Sequence, residues 1–199
     1  MRAQEKRVKD RRIQKTEALL RGALGTLIRE KPYDDIAVKE ILNRANVGRS
    51  TFYTHFADKD ALLVSCIHDM LRPARRGGWG RAAEKPQEEI VRFSLPILEH
   101  VERHRRTDSA NMGPRGRRVL HEHLQHAITQ LIEAEVRAAL RGRTRAARHA
   151  SPDLLVPWIA STFVLVLNWW VESDSPLPAA DADALFRALV EPSLAEALR

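Results

Sequence analysis

The stretch GRSTFYTHFADK, from Gly48 to Lys59, is rich in side chains that form hydrogen bonds or carry a positive charge. Hydroxyl, imidazole and cationic groups follow one another there, at Arg49, Ser50, Thr51, Tyr53, Thr54, His55 and Lys59. Groups of these types donate and accept hydrogen bonds at base edges and phosphates, and an arginine can fork onto a guanine. The stretch therefore has the chemistry that reading a DNA major groove requires.

Apolar residues around this stretch indicate how it is held. Phe52 and Phe56 are four residues apart and share one face of a short helix, which cannot persist alone in water. A second short helix is predicted from about Val38 to Arg44, followed by Asn46, which tolerates the left-handed conformation of a sharp turn, and by Val47 filling the corner. Two helices joined by a tight turn, the second with polar groups outward, form a helix-turn-helix.

The charge of the chain points to an anionic partner. Its 199 residues include 33 Lys and Arg, 26 Asp and Glu, and 44% hydrophobic residues, a composition that suits a soluble globular protein. Residues 1–152 have a net charge of +12 and residues 153–199 have a net charge of −5. We therefore expect the two parts of the chain to have different functions. The arm from Arg2 to Arg12 adds diffuse attraction to a phosphate backbone.

Other features limit the location and chemistry of the protein. Cys66 is the only cysteine, which excludes an intramolecular disulfide and a four-thiolate metal site. The N-terminus lacks an apolar core after its charges, so we expect neither a secretory signal nor a membrane anchor, and a cytoplasmic location. The 18 uncharged residues between Asp153 and Glu172 reach the minimum length of a membrane span. Pro157, Asn168 and the acidic flanks favour instead a helix buried in a core or between subunits, with no membrane partner.

The rest of the sequence predicts helices and no strand. The expected elements are a first helix from about Arg12 to Glu30, ended by Pro32; a helix beyond Asp58; one from about Gln87 to His104; a loop from Asn111 to Gly116 and a long helix to about Leu140; an apolar helix from Leu154 to Val171; and a last helix from about Asp181.

From about Arg12 to Leu63 the sequence resembles the DNA-binding domain of the TetR/AcrR family of bacterial transcriptional regulators. The resemblance rests on a block of motifs in register: Glu30-Lys31-Pro32-Tyr33, Val38-Lys39-Glu40-Ile41, Ala45-Asn46-Val47, Ser50-Thr51-Phe52-Tyr53-Thr54-His55-Phe56, and Lys59. It implies that phosphates are contacted by Tyr53, His55 and Lys59. It also implies that Gly48, Arg49, Ser50 and Thr54 face bases. The hydroxyl chemistry of Thr51 separately allows it to reach a base or a phosphate.

The resemblance further implies an all-α fold of about nine helices. Residues 1–60 would form the N-terminal arm and a three-helix, helix-turn-helix DNA-binding domain. Residues 61–199 would form a C-terminal helical bundle that binds an effector and dimerises. At the second helix Ala37 stands where the family usually has a capping Ser or Thr, which leaves Asp35 as the candidate cap.

The C-terminal half offers candidate residues for both of these tasks. The candidates for an effector pocket are aromatic, apolar and histidine residues: Phe93, Ile97, His100, His104, His126, Trp158, Phe163 and Trp170. The candidates for a two-fold, four-helix dimer interface are apolar residues of the last two helices: Leu154, Leu165, Trp169, Leu185, Phe186 and Leu189, with Leu194 and Leu198.

The histidines raise the alternative of a metal-dependent enzyme. Two histidine pairs have a helical spacing that could seat a divalent ion beside a glutamate: His100 with His104 and His123 with His126, near Glu99 or Glu122. No H-E-x-x-H motif occurs, and His121 and His123 point to nearly opposite sides of a helix. We therefore expect no metal, no catalytic residue and no cofactor other than an unknown small-molecule effector.

These observations predict a cytoplasmic, homodimeric transcriptional regulator that is not an enzyme. Its expected partners are double-stranded DNA, a second copy of itself and a small-molecule effector, and its expected action is ligand-responsive repression at a palindromic operator. The alternatives are a DNA-binding architectural protein without an effector and, less in keeping with the sequence, the histidine/carboxylate metal-dependent enzyme.

Overall fold

The computed structural model describes residues 2–75, 85–103, 111–140, 151–173 and 175–198. Those residues form helices and no strand, which confirms the all-α prediction. The helices are α1 (Arg2–Glu30), α2 (Val38–Ala45), α3 (Arg49–His55), α4 (Lys59–Arg75), α5 (Pro86–Val91), α6 (Ser94–Glu102), α7 (Gly113–Ala139), α8 (Pro152–Glu172) and α9 (Ala179–Ala197), with a 3₁₀ turn at Tyr33–Asp35.

The chain divides into two compact units. The first contains Met1–Cys66 and Thr107–Leu120, and the second contains Ile67–Arg106 and His121–Arg199. The first unit is larger than the predicted division at residue 60, because Met112 and Val119 of the later segment are buried in the same core as residues of α1 to α4. Periodicity shows that a segment has an apolar face, but it does not show which core that face joins.

Helix α1 is longer than predicted. It begins at Arg2 rather than near Arg12, because no Pro or Gly interrupts the charged helix-forming residues of the N-terminal arm. Towards its end Leu20, Leu24 and Leu27 are buried in the core of the first unit.

The turn between α2 and α3 has the predicted geometry. Asn46 adopts the left-handed conformation, with φ of 52°. Its N–H donates to the Asn43 carbonyl at 3.3 Å, and the Val47 N–H donates to the Leu42 carbonyl at 3.1 Å, which closes the end of α2. Val47 is partly buried and packs against the core at this corner.

The start of α2 is capped differently from the prediction. The Glu40 carboxylate accepts the Ala37 N–H at 2.9 Å, whereas Asp35 makes no such contact among the described residues. Alanine has no side-chain acceptor, so only this half of a capping box is present. The pKa of Glu40 is lowered by its hydrogen bonds, first from Lys31 and then from the Ala37 N–H.

Two ion pairs at the surface, one exposed and one partly buried, join the end of α1 to α2. Both Arg44 terminal nitrogens donate to the Glu30 carboxylate, at 2.7 and 2.8 Å, and Lys31 donates to both Glu40 oxygens at 2.7 Å. The paired, bidentate geometry fixes the angle between the two helices more than it stabilises the fold, since exposed ion pairs contribute little.

The first residue of α4 holds the connection between α1 and α2. The Lys59 ammonium donates to the carbonyls of Tyr33, Asp34 and Ile36 at 2.8, 3.0 and 2.9 Å. It also lies 4.6 Å from the centre of the Tyr33 ring. Burial, and then the nearby Arg115 guanidinium, lower the pKa of Lys59.

The next residue, Asp60, joins α4 to the start of α7. The Tyr33 hydroxyl donates to one of its carboxylate oxygens at 2.6 Å, and Nε and Nη2 of Arg115 donate to the other at 2.9 and 2.6 Å. Burial raises the pKa of Asp60, but the hydrogen bonds from Arg115 and Tyr33 outweigh it, and the pKa lies below its ordinary value. Burial and the Asp60 hydrogen bond raise the pKa of Tyr33. We call Tyr33, Lys59, Asp60 and Arg115 the α4 node.

Helix α7 begins inside the segment predicted to be a loop. Pro114 lies in its first turn, where proline is tolerated because the N–H it lacks has no helical partner. Gly113, with φ of 64°, lies so close to Asp34 that a Cβ would come within 2.8 Å of its carboxylate. Asn111 donates to the Ile28 carbonyl at 2.9 Å. The lack of a side chain at Gly113 therefore lets this segment approach the 3₁₀ turn, and the Asn111 hydrogen bond ties it to α1.

The second unit is built around three phenylalanine rings. Phe93, Phe163 and Phe186 meet edge to face at 5.1 to 6.0 Å, and all three are buried. α9 packs on α5, α6 and α8, and its first N–H, from Ala179, donates to the Glu102 carboxylate at 2.9 Å.

The helix predicted from Gln87 to His104 is broken in two. α5 ends at Val91 and α6 begins at Ser94. Pro96 explains the break, because a proline ring clashes with the carbonyl four residues before it, here that of Arg92. His104 lies outside the described residues.

Helix α8 corresponds to the apolar helix predicted from Leu154 to Val171. It has the length and composition of a helix that crosses a membrane, and half of its most apolar 18-residue window is buried inside the structure. Within the described part of the chain it is the one helix with these properties. Burial of Ile159, Phe163 and Val166 agrees with a helix that serves a protein core.

Replacing Asp60 by Asn should lower stability at neutral pH and flatten the acid transition. The folded carboxylate has a lowered pKa, so its stabilising contribution is complete above the ordinary value of 3.8 and is lost as the pH falls through the folded pKa. We expect a loss of about 1 kcal/mol at neutral pH, since one partner of the hydrogen bonds changes. Urea unfolding followed by circular dichroism at several pH values measures both effects.

Asp35→Asn, which alters an exposed carboxylate of the same turn, is the control. The two curves should converge only at pH values below the folded pKa, so curves for the native chain and Asp60→Asn that already coincide at neutral pH would contradict the role assigned to this carboxylate.

Candidate nucleic-acid interface

Helix α3 presents polar side chains because one side of it is buried. Phe52 is fully buried and Phe56 nearly so, as the spacing predicted. Apart from His55, the residues between and before them are exposed: Arg49, Ser50, Thr51, Tyr53 and Thr54. With seven residues the helix has two turns, so almost every side chain that does not face the core faces solvent.

Two contacts along α3 organise this exposed face. The Arg49 guanidinium lies over the Tyr53 ring, 5.6 Å from its centre. The Thr54 hydroxyl donates to the Ser50 carbonyl at 2.9 Å, which leaves its oxygen as an acceptor. Among the described residues no carboxylate lies within ion-pair distance of Arg49, so its five N–H donors are available to a partner.

Gly48 precedes α3 in an ordinary extended conformation, with φ of −68°. A Cβ at this position would meet only the Thr51 hydroxyl oxygen, at 3.8 Å, which is normal contact. The fold itself therefore does not require glycine here, whereas a partner that approaches the backbone closely would.

His55 and Lys59 are less open than the other predicted contact residues. His55 is partly buried against α1, with Nδ1 3.5 Å from a Glu17 carboxylate oxygen, so the two pair when the imidazole is protonated. Lys59 donates to three carbonyls, and an ammonium has only three N–H groups. A phosphate contact by Lys59 would require it to give up one of these bonds. Its predicted phosphate role stays a prediction, beside a structural role that the sequence did not show.

The predicted pocket residues are found in three different environments. Phe93, Ile97, Phe163 and Trp170 are fully buried in the core of the second unit, and His100 and Trp158 are partly buried. His126 does not line this interior, because it lies on the exposed side of α7, where its ring bonds the Gln130 amide at 2.9 Å. His104 lies outside the described residues. The pocket as a whole stays a prediction.

Five of the six predicted interface residues are exposed apolar side chains. Leu154 is 65% exposed, Leu165 68% and Leu189 53%, with Trp169 and Leu185 also exposed. Phe186 is the exception and a correction, because it is fully buried against Phe93 and Phe163 within its own chain. Leu194 and Leu198 are likewise buried in the monomer. We call the exposed set Leu154, Leu165, Trp169, Leu185 and Leu189 the α8/α9 apolar face.

The described histidines do not assemble a metal site, and the pair of His100 with His104 includes a residue that lies outside the described part of the chain. No three His, Cys, Asp or Glu side chains there come together in a way that could hold an ion. His121 instead contacts the Asn168 amide at 3.1 Å, from α7 to α8, and His123 is exposed.

Comparison with known sequences places α2 and α3 within a known segment. Residues 20–66 match the model of the bacterial regulatory proteins of the tetR family. YxbF, an uncharacterised HTH-type transcriptional regulator of Bacillus subtilis (strain 168), is 39% identical over 67 residues. These residues are 33% of this chain and 17% of that protein, so the chain spans a minor part of the length of that relative.

Two solved structures share the fold over most of the chain. A TetR transcriptional regulator from Streptococcus agalactiae 2603V is 26% identical, with 92% of this chain and 97% of that chain covered and a TM-score of 0.56. RolR, solved in complex with the ligand resorcinol, is 19% identical, with 90% and 87% covered and a TM-score of 0.61. The chain is thus similar to the TetR family of transcriptional regulators, in sequence over residues 20–66, which include α2 and α3, and in its helical fold over most of its length.

Proposed function

We propose that this protein is a ligand-responsive repressor that binds a palindromic operator as a homodimer. The observation that carries the DNA-binding part is the exposed face of α3, which presents polar side chains and no acidic residue while Phe52 and Phe56 dock it on the core. A docked second helix of a helix-turn-helix with such a face fits the DNA major groove.

The proposed roles follow the exposure of each side chain. Arg49 is assigned to a guanine edge, Ser50 to a neighbouring base or phosphate, and Thr54 to a neighbouring base whose amino group donates to its hydroxyl oxygen. Gly48 is assigned to close approach of DNA, because the fold does not need a glycine there. Tyr53 is assigned to phosphate through its exposed hydroxyl, and His55 and Lys59 to the edge of the same surface.

Dimerisation is proposed through the α8/α9 apolar face. Its five large apolar side chains lie exposed on helices whose other sides fill the core of the second unit. Exposed apolar residues grouped in this way mark an interaction surface. Two copies of a helix pair form a four-helix, two-fold interface, which would present two α3 helices to half-sites about one DNA turn apart.

We also propose that the protein responds to a ligand. Helices α4 and α7 each have residues in both units, so a change in either helix within the second unit would also affect the first unit. The RolR structure contains resorcinol, so a chain of this fold binds a small aromatic molecule. An effector that favours one arrangement of α7 over another would change DNA affinity only through a difference in its affinity for the two states. A cytoplasmic location is part of the same proposal, since the DNA target would lie there.

Selection of bound fragments from a genomic DNA library at about physiological salt should enrich one palindrome, because non-specific attraction is weak there. On that fragment Arg49→Ala should lose about 1–3 kcal/mol of discrimination at one base pair of each half-site, since a bidentate contact disappears. Titrations of the selected fragment and of its base-substituted forms measure this loss.

Arg137→Ala, which removes one exposed positive charge from the second unit, is the matched control and should leave discrimination unchanged. Enrichment of no sequence would favour the architectural alternative. Equal losses on selected and random DNA would remove Arg49 from base reading.

Leu165→Asp and Leu189→Asp should each convert the dimer to a monomer, because a charge would enter the apolar interface. Sedimentation velocity at micromolar concentrations measures the change, and circular dichroism should show that the helices persist, since both positions are exposed in the monomer. Leu19→Asp places a charge at an exposed leucine of α1 and is the control. A dimer that survives both α8/α9 substitutions would place the interface elsewhere.

A further inference from the structure

We infer that Tyr53 is a positioning residue for sequence reading, because its ring holds the Arg49 guanidinium in the orientation in which it contacts a base. The inference rests on the proposed function, since it concerns the same DNA-facing surface. It assigns to the ring a task separate from the phosphate contact of the hydroxyl.

A row of contacts runs from the core to the guanidinium. Phe52 is fully buried. The Tyr53 ring meets the Phe52 ring edge to face, with centres 5.3 Å apart and planes at 89°. The Arg49 guanidinium carbon then lies 5.6 Å from the centre of the Tyr53 ring, within the range of a cation–π contact. The exposed tyrosine is thus held by a buried ring and in turn holds the arginine.

The position of the guanidinium over the ring suits recognition of a base. Its N–H donors lie in the plane of the group, whereas stacking on an aromatic ring uses its face. A contact with the Tyr53 ring through that face leaves the fork of donors open for a guanine edge. Among the described residues no carboxylate competes for those donors, and the Tyr53 ring is the group that lies against the guanidinium.

The benefit of the contact is pre-organisation. A free arginine side chain loses much of its conformational freedom when it binds, and that loss weakens binding. If the ring restrains Arg49 beforehand, less freedom is lost on the correct base. A misplaced guanidinium would still bind phosphates, so removal of the ring should reduce discrimination more than overall affinity.

The test separates the tyrosine ring from its hydroxyl. Tyr53→Phe and Tyr53→Leu are made in the native chain and in Arg49→Ala. The probes are the fragment that the native chain selects from a genomic library, the same fragment with single base pairs replaced, and random DNA. Affinities at several salt concentrations give the discrimination at each base pair and the number of phosphate contacts.

Tyr53→Phe should weaken all fragments alike and keep the discrimination, because the ring remains. Tyr53→Leu should lower the discrimination about two- to fivefold, the size expected of an exposed cation–π contact. The loss should fall at the base pair that Arg49→Ala also affects. In the Arg49→Ala background Tyr53→Leu should change discrimination no further, because it acts through Arg49.

Unchanged discrimination in Tyr53→Leu would overturn the inference while leaving the proposed function intact. So would an equal loss in the Arg49→Ala background. Selection of no fragment by the native chain would overturn both. Tyr53 is 48% exposed and leucine keeps an apolar contact with Phe52, so the fold should tolerate the change. If circular dichroism shows otherwise, Tyr53→Met replaces it with the same expectations.

Discussion

Burial of the Phe52 and Phe56 rings is the interaction on which the DNA-facing surface depends. α3 has seven residues, and a helix of that length does not persist alone in water. Each buried phenylalanine contributes about 1.5–3 kcal/mol, which gives the segment a reason to be helical. The same packing points the intervening residues outward, so docking the helix and displaying its polar groups are one event. The restraint of Arg49 by Tyr53 begins from the same buried ring.

The α4 node holds together the 3₁₀ turn, the start of α4 and the start of α7. Lys59 and Asp60 are consecutive, yet their side chains hold different segments: Lys59 binds the carbonyls around the 3₁₀ turn, and Asp60 binds Tyr33 and Arg115. A lysine at the start of a helix is disfavoured by the helix dipole. Three carbonyl acceptors compensate for that position, so a bound phosphate is not needed to explain it. The node also gives Arg115, at the start of α7, a direct bond to the beginning of α4.

The sequence predicted the helices and the turn, which depend on neighbouring residues, but it did not predict the contacts between residues far apart in the chain. Helical spacing and Asn46 sufficed for α2, the turn and α3, because these depend on neighbouring residues. The Arg115–Asp60 pair joins residues 55 positions apart, and no periodicity connects them. The break before α6 had a readable signal in Pro96. Phe186 was assigned to the wrong surface because α9 is apolar on more than one side, and spacing alone does not tell which side meets the core.

Under the proposed function, the short α3 and the exposed α8/α9 apolar face answer the same requirement, which is specific binding to one site in a genome. The exposed side chains of one α3 can reach only a few base pairs, and each mismatch typically costs about 1–3 kcal/mol. A genome offers so many competing sites that one such half-site would not be found reliably. Pairing two chains doubles the contacts and adds the spacing between half-sites as a further restriction. Under the proposed function, a chain that reads DNA through a helix of two turns would need a second copy, and its last two helices carry exposed apolar side chains suited to that contact.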